Sequence, residues 1–213
     1  MFLRGANVGG HRVFRPRLVA DALRDHGVVN IGAAGSFVAL RPASREKLLA
    51  DLRGQLPFAA TIATCSARDA QALIDEQARD PGASHPYSRA SARDATIRFV
   101  SILCGPPRRM FDLPAQIPAD GPWLVRIDGR RGRLVHGVYR RQMKAISGLG
   151  QVDRMYGVPA TTRSWSTLLA MLRACQPGPL RPERPPARAQ GRADGPSARR
   201  RAARRKGPGN RVK

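Results

Sequence analysis

The sequence predicts an α+β protein, on three observations. Residues 1–65 alternate between strand-like and helix-like periodicity in the order strand, helix, strand, strand, helix, strand. Residues 95–175 return to the same mixture of β-branched runs and helical stripes. Residues 176–213 are too poor in apolar side chains to join either.

Met1 to Arg4 reads as a short strand entering a glycine-rich loop, Gly5 to His11. Pro16 suits a first helical turn, because its ring presets φ and the N–H it lacks has no partner there anyway. Leu18, Val19, Ala22 and Leu23 recur at helical spacing, and Gly27 stands where a left-handed cap is expected. Two apolar runs, VVNIGAA and SFVALR, flank Gly35-Ser36 as a hairpin turn. Ser44 can cap a second helix, with Lys47 in place of the preferred Glu and with Leu48, Leu49, Leu52 and Leu56 as its stripe. Phe58 to Cys65 reads as a strand, which completes a β-α-β-β-α-β order, the split βαβ or ferredoxin-like pattern.

Ser66 caps a third helix carrying Ala70, Leu73, Ile74 and Ala78, and the polar stretch Asp80 to Asp94 reads as a loop that separates a half at 1–80 from a half at 95–175. In the second half Thr96 to Cys104 is a β-branched run, followed by a segment broken by Pro106, Pro107, Pro114, Pro118 and Pro122. Trp123 to Asp128 and Arg133 to Tyr139 read as strands joined by GRRG. A short helix is expected over Leu149 to Tyr156, ended by Gly157, and Ser164 can cap a last helix with Trp165, Leu168, Leu169 and Leu172.

The 213 residues carry 38 Lys+Arg against 15 Asp+Glu, a net charge of +23 that excludes an acidic solvating protein. Hydrophobic residues make up 42% of the chain, enough for a packed core. The charge divides unequally, about +10 on residues 176–213 and +13 on the rest. The tail cannot bury enough apolar surface to offset its ordering entropy, so it is expected to be disordered. Its run Arg199, Arg200, Arg201, Arg204, Arg205, Lys206 suits phosphate contacts that carry no sequence information. A coding bias toward GC-rich codons explains the same composition without function.

No apolar run approaches the roughly 20 residues that span a bilayer, and the amino terminus lacks a signal-like apolar stretch. A cytoplasmic protein with no membrane association is expected. Cys65, Cys104 and Cys175 are widely spaced beside apolar stretches and read as buried reduced thiols. His11, His26, His85 and His136 lack zinc-ligand spacing, so neither metal nor cofactor is expected.

Three clusters are candidates for anion binding. In LRGANVGGHR, the residues Arg4, Gly5, Asn7, Gly9, Gly10 and His11 form a loop whose glycines allow successive N–H groups to make an anion nest, although Walker and dinucleotide-binding spacings are absent. Arg140, Arg141 and Lys144 follow the second hairpin. Thr162 and Arg163 precede the last helix, where free N–H groups favour anions. Each has a plain alternative: tight-turn geometry, solvated strand-end arginines and helix capping. Trp123 and Trp165 suit packing better than base stacking, and no RNP-like aromatic pair is present. No GxSxG, paired carboxylates or Ser/His/acid constellation marks a catalytic centre.

At LRGANVGG, NIGAAGSFV and GVPATTRSWSTL the chain resembles the bacterial family known as domain of unknown function 1697, whose corresponding motifs read LRGINVGG, SGNVVF and VTTRNWNT. The resemblance covers about residues 1–172 and implies two ferredoxin-like α+β halves in one domain, without an activity to carry over. The chain departs at Gly35-Ser36, where many members have Gly-Asn, and at Ser164 and Ser166, where many have Asn. If those asparagines hold a ligand in relatives, serine alters the site; if they are turn and cap residues, serine substitutes at small cost.

The leading expectation is a protein that binds a phosphate-bearing small molecule or polyanion, including nucleic acid, with the tail as a non-specific tether. Its rivals are a small enzyme using Arg4, His11 and Arg163 on an anionic metabolite, and a non-catalytic domain whose edge strand pairs with a protein. Convergence of Arg4, Asn7, Arg163 and the Arg140-Arg141 pair would mark one specific site. Their dispersal would leave a basic surface.

Overall fold

Phe2–Leu3 (β1) lies inside the amino-terminal sheet of this computed structural model, which describes residues 1–7, 12–79 and 96–176. β1 runs antiparallel to Ile62–Ala63 (β4), with Phe2 opposite Ala63. Its other edge meets the hairpin of Val28–Asn30 (β2) and Phe37–Ala39 (β3) through a bridge from Phe2 to Ser36 and through Phe37 N–H donating to Met1 O at 2.8 Å. Hydrogen bonds therefore connect four short strands in the order β4, β1, β3, β2, each antiparallel to its neighbour.

The second sheet has five antiparallel strands, Thr96–Leu103 (β5), Ala115–Ile117 (β6), Val125–Arg131 (β7), Leu134–Arg140 (β8) and Ala160–Ser164 (β9), in the order β6, β7, β8, β5, β9. The fold is thus a mixed α+β architecture of helices on antiparallel sheets.

Side-chain caps start the helices where the sequence places them. Ser44 accepts from Lys47 N–H at 3.0 Å to open Arg45–Gly54 (α2), and Ser66 accepts from Asp69 N–H at 3.0 Å to open Ala67–Arg79 (α3). Ser164 accepts from Thr167 N–H at 3.3 Å to open Trp165–Cys175 (α6). Each cap satisfies an N–H that the helix itself leaves unpaired, a contribution of about 1 kcal/mol. Pro16 opens Pro16–Ala22 (α1), and Gly27 and Gly157 take left-handed φ of 62° and 67° after a 3-10 turn at Arg24–His26 and after Val152–Tyr156 (α5).

The core has three apolar layers. One face of the first sheet packs Leu3 and Phe37 with Val19 of α1, Leu23 just after it and Leu52 of α2. One face of the second sheet packs Phe99, Val125 and Val135 with Ala145 of Met143–Leu149 (α4) and Val152 and Tyr156 of α5. Between them, α3 and α6 supply Leu73, Trp165 and Leu168 to a layer that takes Phe2 and Val38 from the first sheet and Val100, Ile102 and Leu134 from the second. The two halves share this layer, in which each fully buried Leu or Phe contributes roughly 1.5–3 kcal/mol.

Several boundaries differ from the sequence reading. β4 is confined to Ile62–Ala63, because Phe58 packs edge-on against Phe14 at 5.9 Å instead of extending the strand. β2 ends at Asn30, and the hairpin turn begins at Ile31, whose N–H reaches Ser36 O at 2.8 Å. β7 continues through both arginines of GRRG to Arg131, after a register shift between Ile127 and Gly129. The helix expected at Leu149 is divided between α4 and α5. Between β5 and β7 the chain forms β6 and no helix, since five prolines there remove N–H donors that a helix requires. The three cysteines are free but half-buried rather than fully buried. No helix among the described residues is long and apolar enough to cross a membrane. The loop expected at 80–94 and the tail fall outside the described residues, apart from Gln176.

Candidate functional site

Arg163 lies on β9, one residue before the Ser164 cap of α6, and every N–H of its guanidinium has an acceptor within the protein. Nε donates to Ser36 Oγ at 2.9 Å, and Nη1 donates to Thr161 Oγ1 and Thr162 O, both at 2.8 Å. Nη2 donates to Leu3 O and Ala34 O, both at 2.7 Å. Burial pushes this guanidinium down to about 10, which still leaves it charged at neutral pH. With five donors engaged, Arg163 ties β9 to β1 and to the β2–β3 turn and holds none in reserve for an anion. Thr162 Oγ1 is likewise engaged, 2.6 Å from Ser101 Oγ.

Arg4 serves the same junction. Its Nε donates to Ala160 O at 3.1 Å, and its Nη2 pairs with Asp153, whose other oxygen accepts from Ala160 N–H at 2.9 Å. Asn7 sits in the left-handed region at φ 53°, donates from Nδ2 to Ala33 O at 2.8 Å and Phe14 O at 3.2 Å, and accepts from Phe14 N–H at 3.0 Å. Gly5 is also left-handed, at φ 65°. These residues fix the described part of the loop, up to Asn7. Gly9, Gly10 and His11, and the run Arg199, Arg200, Arg201, Arg204, Arg205, Lys206, lie outside the described residues.

Arg140 is far from that junction. It pairs with Thr96 at the first residue of β5, whereas Ala160 pairs with Leu103 at the last. Seven residue steps of β5 separate those two ends, roughly 23 Å at the usual rise, and Arg163, which pairs with Val100, stands four steps from Thr96, roughly 13 Å. Arg4 and Arg163 converge with each other and not with the Arg140-Arg141 pair.

A different basic set assembles at the Arg140 end. Arg98 of β5 and Arg126 of β7 both stand opposite Val138 of β8, and Arg140 is two residues further along β8. Directly opposed residues and residues two apart share a sheet face, so Arg98, Arg126 and Arg140 project together. The same face buries Val100, Ile102 and Leu134 beneath α3 and α6 at its other end.

Tryptophans organise this set. The guanidiniums of Arg140 and Arg126 lie 4.8 Å and 5.6 Å from the Trp123 ring centroid, and that of Arg98 lies 3.9 Å from the Trp165 ring. Such contacts supply about 0.5–1 kcal/mol each where exposed, and they hold a guanidinium plane while leaving its edge able to donate. Trp123 is therefore a platform for arginines. Arg126 donates from Nε to Asp128 at 2.5 Å, and Arg98 from Nη2 to Gln77 Oε1 at 3.0 Å. Burial lowers Arg98 from the ordinary arginine range, with Asp128 acting against it. Arg141 and Lys144 stand exposed just beyond β8.

Of the three sequence clusters, only Arg140, Arg141 and Lys144 border this face, and its other members, Arg98, Arg126 and Trp123, were not singled out as a site. Their parity within TIRFVSIL and VRIDGRR is visible in the sequence, but their convergence depends on the β5–β8–β7 register. Among the described residues no group of three or more His, Cys, Asp or Glu side chains is placed to hold a metal ion. Compared with protein-family models, curated proteins and solved structures, the chain shows no match.

Proposed function

We propose that the protein binds a phosphate-bearing polyanion, with nucleic acid as the partner to test, through the sheet face of Arg98, Arg126 and Arg140. The observation that carries this reading is the placement of these three arginines on one face of adjacent strands, two of them over Trp123. Five cations, counting Arg141 and Lys144, border a patch in which Asp128 is the one carboxylate among the described residues, and such a surface raises the local concentration of anions. The Arg199–Lys206 run acts as a non-specific tether, and the protein works in the cytoplasm. The enzyme reading has less support, because Arg163 spends its five donors internally and Arg4 is already paired with Asp153 and with Ala160 O.

We read both halves as ferredoxin-like and the chain as a relative of the domain of unknown function 1697 family. The order β4, β1, β3, β2 supports the first half, and β7, β8, β5, β9 supports the second, with β6 and a proline-rich segment where the first helix would be. The three motifs that carry the resemblance meet at Arg163 of the carboxyl-terminal one, which donates to Leu3 O in the first and to Ala34 O and Ser36 Oγ in the second.

The test is a fluorescence anisotropy titration of the full chain against single-stranded RNA, single-stranded DNA and duplex DNA at low and physiological salt. Tight binding at low salt that weakens steeply as salt rises is expected. Absence of binding at low salt sinks the proposal. Binding abolished by neutralising the tail run but untouched by Arg126→Gln and Arg140→Gln removes the sheet face from it.

A further inference from the structure

We infer that the open cavity lined by β3, α2, α3 and α6 is a binding site for a small amphipathic carboxylate, independent of the basic sheet face. The cavity holds about 460 Å³, inside the range of small-molecule sites, roughly 300–1,000 Å³. Phe37, Val38, Leu48, Leu168, Met171 and Leu172 give it an apolar wall. These side chains come from three elements that line the inner wall of a pocket open on one side, so an apolar body placed there gains contact along that wall.

Polar groups are concentrated near Cys65. Arg45 lines the cavity and is held by Nη2 donating to Thr64 Oγ1 at 2.9 Å, next to Cys65 in the chain. Arg133 also lines the cavity, close enough to Cys65 for its charge to favour the thiolate. Among the described residues neither arginine forms a salt bridge with a carboxylate. Asp69, the one lining acid among the described residues, accepts from Ser66 Oγ at 2.7 Å. Two uncompensated guanidiniums beside an apolar chamber select an anionic head on an apolar tail, and Arg pairs with carboxylate bidentately. Cys65 and Cys175 both line the cavity, and burial pushes both thiols up, so they act as neutral apolar wall.

These cysteines provide the readout, because Cys104 lies outside the cavity lining and serves as internal control. Iodoacetamide labelling of the full folded chain is followed cysteine by cysteine by mass spectrometry, with decanoate, decan-1-ol or decylammonium as probe. Decanoate is expected to slow labelling of Cys65 and Cys175 several-fold and leave Cys104 unchanged, with decan-1-ol weaker and decylammonium without effect. Arg45→Gln or Arg133→Gln should raise the half-protecting decanoate concentration about tenfold, as loss of one charge-assisted hydrogen bond would. Ala67→Trp, at an exposed position on the cavity rim, should abolish protection while the circular dichroism spectrum stays native. No protection by decanoate, equal slowing of all three cysteines, or equal protection by decan-1-ol each overturns the inference.

Discussion

The guanidinium of Arg163 donates to the carbonyl oxygen of Leu3 at 2.7 Å, joining the edge strand of the second sheet to an inner strand of the first. Its other donors go to Ala34, Ser36, Thr161 and Thr162. A lysine offers three donors from a point charge and cannot copy that planar fork. Arg163→Lys is therefore expected to destabilise the fold by about 2 kcal/mol and Arg163→Ala by about 3 kcal/mol or more, since buried acceptors lose their partner. Urea unfolding reads both, and a loss below about 0.5 kcal/mol for the alanine variant, the range of ordinary surface changes, would refute the role given to Arg163.

Gly137 tests the register on which the basic face depends. A Cβ added there would lie 2.0 Å from Arg126 O, a backbone atom that cannot move without parting β7 from β8. Gly137→Ala should therefore cost about 3 kcal/mol and should disturb the face even if the chain still folds. By contrast, alanine at Gly132, with open space around its Cβ but φ of 55°, meets only backbone strain, about 1 kcal/mol. The ranking of the two melting temperatures decides the point.

The pH dependence of stability should carry a signature of Asp51. Its carboxylate is held below the ordinary aspartate value first by hydrogen bonding to His26, 2.7 Å away, and then by Lys47. A depressed acid binds its proton more weakly folded than unfolded, so its stabilising effect is complete above the unfolded value, about 3.9, and is lost as pH falls through the folded one. The melting-temperature advantage of wild type over Asp51→Asn should persist at neutral pH and shrink as pH falls below about 4. An advantage that grows on acidification would show the linkage to be of the opposite sign.

What the sequence disclosed about this fold was local. Ser44, Ser66 and Ser164 announce helix starts because a cap and the N–H it satisfies lie within three residues, and Gly27 and Gly157 mark ends for the same reason. β9 was not legible, because Thr161 to Ser164 become a strand only by pairing with β5, about sixty residues earlier. The same distance effect reverses the meaning of Arg163, which suits an anion site by its neighbours in the chain until acceptors from Leu3, Ala34 and Ser36 arrive. Arg98, Arg126 and Arg140 show the converse, three separate strand arginines that become one surface through cross-strand register.

If that surface is where a polyanion binds, its arginines must differ from Arg163 in how they answer salt. Each cation that neutralises a phosphate releases counterions, so removing one such cation lowers the magnitude of the slope of log affinity against log salt by about 0.7 on a single strand and about 0.9 on a duplex. Arg126→Gln and Arg140→Gln should each reduce the slope by about that amount, and the double variant by about the sum. Arg163→Gln should lower stability but leave the slope of the folded protein unchanged, because its five donors already have protein acceptors. Trp123→Ala should weaken binding severalfold at unchanged slope, since it removes the platform that orients Arg140 and Arg126 but no charge. A slope that responds to Arg163 and not to Arg126 or Arg140 would move the binding surface to the other end of the sheet.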